Sequence, residues 1–234
     1  MRDRRLMANP CEGTKLPKPE RVKVQPPTTE QVEQLRDAIT DPALRAVVTF
    51  TAGTGLRQGE VFGLTVDRLS MLRREVTVDR QLVKLPRQPA RLGPPKTKAS
   101  VRTVPLPQVV VDALAAHLAA FPPGPDGLVF TLESEPVTRQ AFGRVWAPAA
   151  KAAGLPARTG LHLLRHYYAS LLIRYGESVK TVQARLGHAT AAETLDTYSH
   201  LWPDSDDRTR EAVDSQLSAD PRGVADSVRT GGGA

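Results

Sequence analysis

His162-Leu163-Leu164-Arg165-His166, then Leu186-Gly187-His188, then Thr197-Tyr198-Ser199-His200: these residues decide how the rest of the chain is read. On a helix of about 3.6 residues per turn, Leu163, Leu164, Tyr167, Tyr168, Leu171, Leu172 and Tyr175 share one stripe, and His162, Arg165, His166 and Ala169 lie opposite. The apolar stripe is expected in the core, which leaves two imidazoles and a guanidinium facing outward together. A second short helix, Val179–Leu186, should stop at Gly187, because glycine takes the left-handed C-cap conformation at no steric cost. His188 follows at once, and the phenol of Tyr198 comes shortly after. Arginine forks bind the non-bridging oxygens of a phosphate, imidazoles donate hydrogen bonds or move protons, and a tyrosine hydroxyl can attack phosphorus. Those are the parts of a phosphoryl-transfer site that uses no metal.

Upstream, Thr28 with Gln31 reads as a capping box ahead of Val32, Leu35, Ala38 and Ile39 at helical spacing. Asp41-Pro42 opens a second helix through Leu44, Val47, Val48 and Phe50. It runs into Gly53-Thr54-Gly55-Leu56-Arg57-Gln58-Gly59-Glu60, where closely spaced glycines permit a sharp turn before a third helix with Val61, Phe62 and Leu64. That turn lacks the Lys-Ser/Thr ending of a nucleotide-binding loop. It instead delivers Arg57 from a helix start, with Glu60 one turn on and able to brace it; taken alone, this would be a surface ion pair.

Residues 75–80 and 101–104 alternate and are β-branched, so a small antiparallel sheet is expected, joined by an exposed, proline-rich, basic connection. Lys96 and Lys98 lie near the tip of that connection. Pro107 should start a helix buried through Val110, Val111, Leu114, Leu118 and Phe121, with His117 on its surface. A short strand is expected at Leu128-Val129-Phe130. Thr138 should cap a helix carrying Phe142, Val145 and Trp146 to Ala153.

The 234 residues are 40% hydrophobic, enough for an ordinary core, and 32 Lys and Arg against 25 Asp and Glu give a formal charge of +7. A basic balance favours a polyanionic partner. One cysteine, Cys11, excludes an internal disulfide and any multi-cysteine zinc site, which fits a reducing cytoplasm. No apolar run or signal core points to a membrane or to export.

Taken together, Thr54-Gly55-Leu56-Arg57 with Gly59-Glu60, Lys96-Thr97, His162 with Leu164-Arg165-His166, Leu186-Gly187-His188 and Tyr198 resemble the tyrosine recombinase (phage integrase) family in order and spacing. The likeness is greatest to integrases of actinobacterial phages and mobile elements. It implies an α+β, mainly α catalytic domain over residues 28–203, helical with a small three-stranded antiparallel sheet on one edge. It also implies metal-independent DNA strand cleavage and rejoining at a specific recombination site, without cofactor. Tyr198 would be the nucleophile and form a 3′-phosphotyrosine; Arg57 and Arg165 would hold the non-bridging oxygens; His162 and His188 would complete the contacts and assist proton transfer; Lys96 would protonate the leaving 5′-oxygen. Lys98, Arg102, Lys180 and Arg185 are the expected DNA contacts. The implied partners are double-stranded DNA, three further copies in a synaptic tetramer and an accessory directionality factor. Residues 1–27 resemble the linker that follows an amino-terminal core-binding domain, and residues 204–234 read as a charged tail with a disordered end.

Two rival readings start from the same residues. His162 and His166 stand one helical turn apart, as in zinc hydrolases, but Leu163 holds the place where such a helix carries glutamate, and Arg165 would repel a cation. The helix from Leu161, the break at Gly176 and the helix from Val179 also read as helix-turn-helix, with Arg174, Lys180 and Arg185 suited to phosphates. That reading leaves Arg57 and Tyr198 without a role. Its surviving form is a truncated, catalytically impaired recombinase that only binds DNA.

Overall fold

Local capping signals in the first third of the chain become three packed helices. The Thr28 hydroxyl accepts from the Gln31 N–H and the Gln31 side chain takes the Thr28 N–H, closing the capping box of α1 (Thr29–Ala38). Asp41 accepts from the Ala43 N–H and Pro42 opens α2 (Pro42–Thr54), which buries Leu44, Val47, Val48 and Phe50. It ends where Gly55 turns left-handed, at φ 64°. Two residues later α3 (Gln58–Phe62) begins. This computed structural model describes residues 13–14, 24–95, 97–202 and 206–217. Lys96, the side chain of Lys98, most of the 1–27 lead-in and the 218–234 end lie outside the described residues.

Strands β1 (Leu69–Ser70) and β2 (Glu75–Val78) pair antiparallel, and the chain then makes a separate hairpin, β3 (Gln81–Val83) with β4 (Arg91–Gly93), before β5 (Arg102–Pro105) returns to β2. The three-stranded sheet has the order β1-β2-β5 and sets Val76 opposite Val104. Val76, Val78 and Val104 are buried while Thr77 and Thr103 are exposed, the period-two pattern of a sheet with one wet face. The hairpin corrects the expected loop. Pro86 and Pro89 dominate the composition of that segment, yet both fall in the turn, and the paired residues on either side are free of proline.

Helix α4 (Gln108–Ala120) packs on α2 through Val110 and Leu114. His117 is not on the surface: it is buried, its Nε2 is 2.8 Å from the Val129 carbonyl, and its ring touches those of Phe121 and Phe130. Segment 128–130 covers that face of α4. The segment is core filler and not a strand, because Leu128 makes only an isolated bridge to Thr65 and pairing begins later, in β6 (Thr131–Leu132) with β7 (Glu135–Pro136). Thr138 accepts from the Ala141 N–H and caps α5 (Arg139–Ala152), which lies on α1 and buries Phe142 and Trp146.

Helix α6 (His162–Arg174) runs through the middle of the molecule, with α2 on one side and α7 (Val179–Leu186) on the other. Then follow α8 (Ala191–Tyr198), packed on α7, and α9 (Asp206–Leu217). The single-stripe reading of α6 holds for Leu164, Tyr167 and Tyr168 but not for the opposite face, where Arg165 and Ala169 are buried as well, and Tyr175 is 84% exposed. A helical wheel assumes one covered face, whereas α6 is covered on two. The result is the expected mainly helical fold with a small three-stranded sheet. Among the described residues no helix is long and apolar enough to cross a membrane.

Candidate active site

Helix α7 ends in three consecutive carbonyl groups with no further helical turn to pair them. Each receives an arginine. Arg102 Nε donates to the Arg185 carbonyl at 2.8 Å, Arg165 Nη2 to the Leu186 carbonyl at 2.7 Å, and Arg57 Nη2 to the Gly187 carbonyl at 3.0 Å. The negative end of a helix dipole favours cations there. Gly187 makes this cap possible in two ways: its φ of 64° is left-handed, and a Cβ would lie 3.0 Å from Arg102 Nη1 and 3.1 Å from the Ala99 carbonyl.

The other arm of Arg165 donates to the carbonyl of Gly55, at the end of α2, at 2.8 Å. One guanidinium on α6, only 1% exposed, therefore ties together the C-terminal ends of α2 and α7. Arg57 follows the Gly55 turn. Its N–H donates to Glu60 Oε2 at 2.8 Å, and its Nη1 donates to Glu60 Oε1 at 3.1 Å and to Ser100 Oγ at 3.2 Å. The expected brace is thus present, and buried Glu60 also holds Arg102, at 2.9 and 3.2 Å. Burial acts to raise the Glu60 carboxyl, but hydrogen bonds and charge from Arg102 and Arg57 outweigh it and hold the pKa below the ordinary value.

Three guanidinia around one carboxylate leave this part of the molecule positive. Burial pulls Arg165 down to about 9, and repulsion from Arg57 and Arg102 adds to the effect; it remains protonated at neutral pH. The imidazoles are shifted downward as well, which leaves them neutral at neutral pH. His188, whose Nδ1 is 2.9 Å from Thr194 Oγ1, is pulled down to about 4 by burial and then by Arg165. His166 is also pulled to about 4, by burial and then by His162, Arg165 and His188. His162 is lowered by burial, Arg165 and Arg57, and the edge of its ring meets that of His166 at 4.6 Å between centroids.

Tyr198 is the last residue of α8 and is 1% exposed. The phenol is buried because the C-terminal end of α8 lies against His166 on α6. Its oxygen is 2.8 Å from His166 Nδ1, and its ring stacks on His188 with an interplanar angle of 9°. Burial pushes the phenol up to about 12 against the pull of Arg165.

Arg57, His162, Arg165, His188 and Tyr198 are thus brought to one place. Lys180 is exposed on α7, and Arg185 is half-buried with Nη1 3.3 Å from the Thr103 carbonyl. Arg102, expected as an outward DNA contact, is internal: its side chain is 6% exposed and fully engaged by Glu60 and the Arg185 and Ser100 carbonyls. Two residues had no role in the sequence reading. His166 belongs to the polar cluster but has no task in the sequence pattern, and Thr194, which orients His188, carries no signal beyond lying one helical turn before Tyr198. Tyr167 bonds Thr29 Oγ1 at 3.0 Å, and the Tyr168 ring packs beside Gly55, so both belong to the scaffold.

The phage integrase family profile matches residues 27–204, most of the chain. The chain belongs to the phage integrase family. It is 30% identical over 225 residues to a XerC-like tyrosine recombinase of Caldanaerobacter subterraneus subsp. tengcongensis, covering 85% of this chain and 57% of that protein. It is also 30% identical over 204 residues to the prophage phiRv2 integrase of Mycobacterium tuberculosis, covering 82% of this chain and 52% of the relative. The chain spans little more than half the length of these curated relatives. The integrase of transposon Tn1549, solved with circular intermediate DNA, superposes with a TM-score of 0.69 at 24% identity, over 82% of this chain and 67% of that one. That likeness is one of fold.

Proposed function

We propose that this chain is the catalytic part of a site-specific tyrosine recombinase, which cuts and rejoins DNA through a 3′-phosphotyrosine on Tyr198. One observation carries the reading: two guanidinia, already fixed in place by carbonyl groups, belong to one cluster with three imidazoles and a buried tyrosine whose hydroxyl is 2.8 Å from one of them. Arg57 and Arg165 hold the two non-bridging oxygens and offset the charge that grows on phosphorus as a fifth oxygen arrives. His162 and His188 donate to the same oxygens. Lys96 protonates the departing 5′-oxygen, and Lys98, Lys180 and Arg185 contact the flanking phosphates. The phosphotyrosine retains the energy of the broken ester, so rejoining needs no nucleotide. Integration and excision of a phage or mobile element, by a tetramer on synapsed DNA with an accessory directionality factor, is the setting that fits the family.

A nicked duplex, from which the short 5′-hydroxyl strand diffuses away after cleavage, traps the covalent intermediate. Wild-type chain should form an adduct that survives denaturing electrophoresis, and Tyr198→Phe should form none. DNA binding by wild type without any adduct would instead support the binding-only fragment.

A further inference from the structure

His166 is the one member of the polar cluster without an assigned task, and it alone among the described residues hydrogen-bonds the Tyr198 hydroxyl. We infer that His166 is the general base of the cleavage step, its Nδ1 taking the Tyr198 proton as the oxygen bonds to phosphorus. The inference rests on the recombinase reading above.

Geometry selects this imidazole over the other two. The His188 ring lies parallel to the phenol ring at 6.4 Å between centroids, and its Nδ1 is occupied by Thr194. His162 meets His166 edge-on and is the outermost of the three, nearly one helical turn before Arg165 and exposed to an incoming phosphate. The inference requires one direction of this hydrogen bond, from phenol to imidazole. The groups facing the His166–Tyr198 pair are His162 and Arg165 on the same helix, His188 after α7, and Glu193 on α8. Burial and the neighbouring charges keep the imidazole unprotonated and the phenol protonated at neutral pH, and with the imidazole proton on Nε2 the phenol donates and Nδ1 accepts across the 2.8 Å contact. In the free protein the transfer is strongly uphill. It becomes feasible only as the Tyr198 oxygen–phosphorus bond forms, since a phenolic oxygen becoming an ester loses its affinity for the proton.

The step balances. The Tyr198 oxygen–phosphorus bond forms, the phosphorus–5′-oxygen bond breaks, the phenolic proton moves to Nδ1, and the 5′-oxygen leaves with a proton from the acid assigned to Lys96. In rejoining, the imidazolium returns its proton to the departing phenolate.

Three measurements test this. Nitrogen NMR of wild-type chain at neutral pH should show Nδ1 of His166 bare and Nε2 protonated; a proton on Nδ1 overturns the inference. His166→Asn places an amide oxygen near Nδ1, which keeps an acceptor but not a base. It should form the adduct roughly 100- to 10,000-fold more slowly, at a rate that climbs with pH, while binding DNA as before. Replacing Tyr198 in that variant by a ring-fluorinated tyrosine, a stronger acid, should recover much of the rate. Near-normal cleavage by His166→Asn overturns the inference, as does a defect that fluorotyrosine leaves unchanged, which would make His166 a positioning residue only. Should His166→Asn fail to fold, fluorotyrosine in the wild-type background decides: the dependence of cleavage rate on phenol acidity must be shallow if a base shares the proton, and a full dependence overturns the assignment. A wild-type chain that forms no adduct removes the recombinase reading itself, and this inference with it.

Discussion

One oxygen atom on Tyr198 separates chemistry from architecture. In Tyr198→Phe the ring can still stack on His188, but Nδ1 of His166 loses its partner in a buried place, a loss worth about 1 kcal/mol. Adduct formation should vanish while thermal unfolding shifts by only a few degrees, which calorimetry on the two proteins would show. A collapse in stability would mean that the hydroxyl holds α8 in place. Lys96 supports a different test, because a lysine that donates to the 5′-oxygen becomes dispensable when that oxygen is replaced by sulfur. Lys96→Ala should cleave ordinary DNA roughly 100- to 10,000-fold more slowly and recover on a 5′-thio substrate, with Lys98→Ala nearly normal on both. Failure of sulfur to rescue would make Lys96 a binding contact. At this scale what was legible in the sequence is a grouping: Arg57, Arg165, His162, His188 and Tyr198, singled out by the family resemblance, meet at one place in the fold. The task of His166 was not legible, since its partner lies on a different helix and no spacing rule connects them.

Helix ends carry more of this fold than helix faces do. The capping box at Thr28, the Asp41-Pro42 start and the Gly187 stop were all readable, because each is a contact between residues near in sequence. His117, Arg102 and the β3–β4 hairpin were not. The first two are buried by segments distant in the chain, and the hairpin's pairing is masked by the prolines of its own turn. The three-arginine cap on α7 predicts that Gly187→Ala does more than strain a backbone. Left-handed geometry costs about 1–2 kcal/mol for a residue with a Cβ. The new methyl must also displace Arg102 or the 99–100 backbone, and with them the Glu60 hub that braces Arg57. Cleavage should therefore fall by a larger factor than stability alone implies, as adduct yield at a temperature where the variant stays folded would show. Equal adduct rates in the folded variant and wild type would uncouple the cap from catalysis.

Across the whole molecule, the three neutral imidazoles tie stability to pH. His166 and His188 are held near 4 and His162 is lowered too, against an unfolded value of about 6.5. Between those values the unfolded chain binds protons that the folded chain refuses, so their contribution is complete above about 6.5 and is lost as pH falls toward 4. Thermal midpoints should begin to drop below about pH 6.5, before ordinary carboxylates titrate, and the drop should shrink in His166→Asn with His188→Asn. A flat profile down to pH 5 would contradict this. The arginine cap on α7 has a consequence in the timing of entropy. A free arginine side chain carries about 2 kcal/mol of rotamer entropy, which a protein ordinarily loses when it grips its ligand. Here Arg57 and Arg165 are already immobilised by the carbonyls of Gly187, Leu186 and Gly55, so that loss belongs to folding and an arriving phosphate meets guanidinia that have no rotamers left to give up.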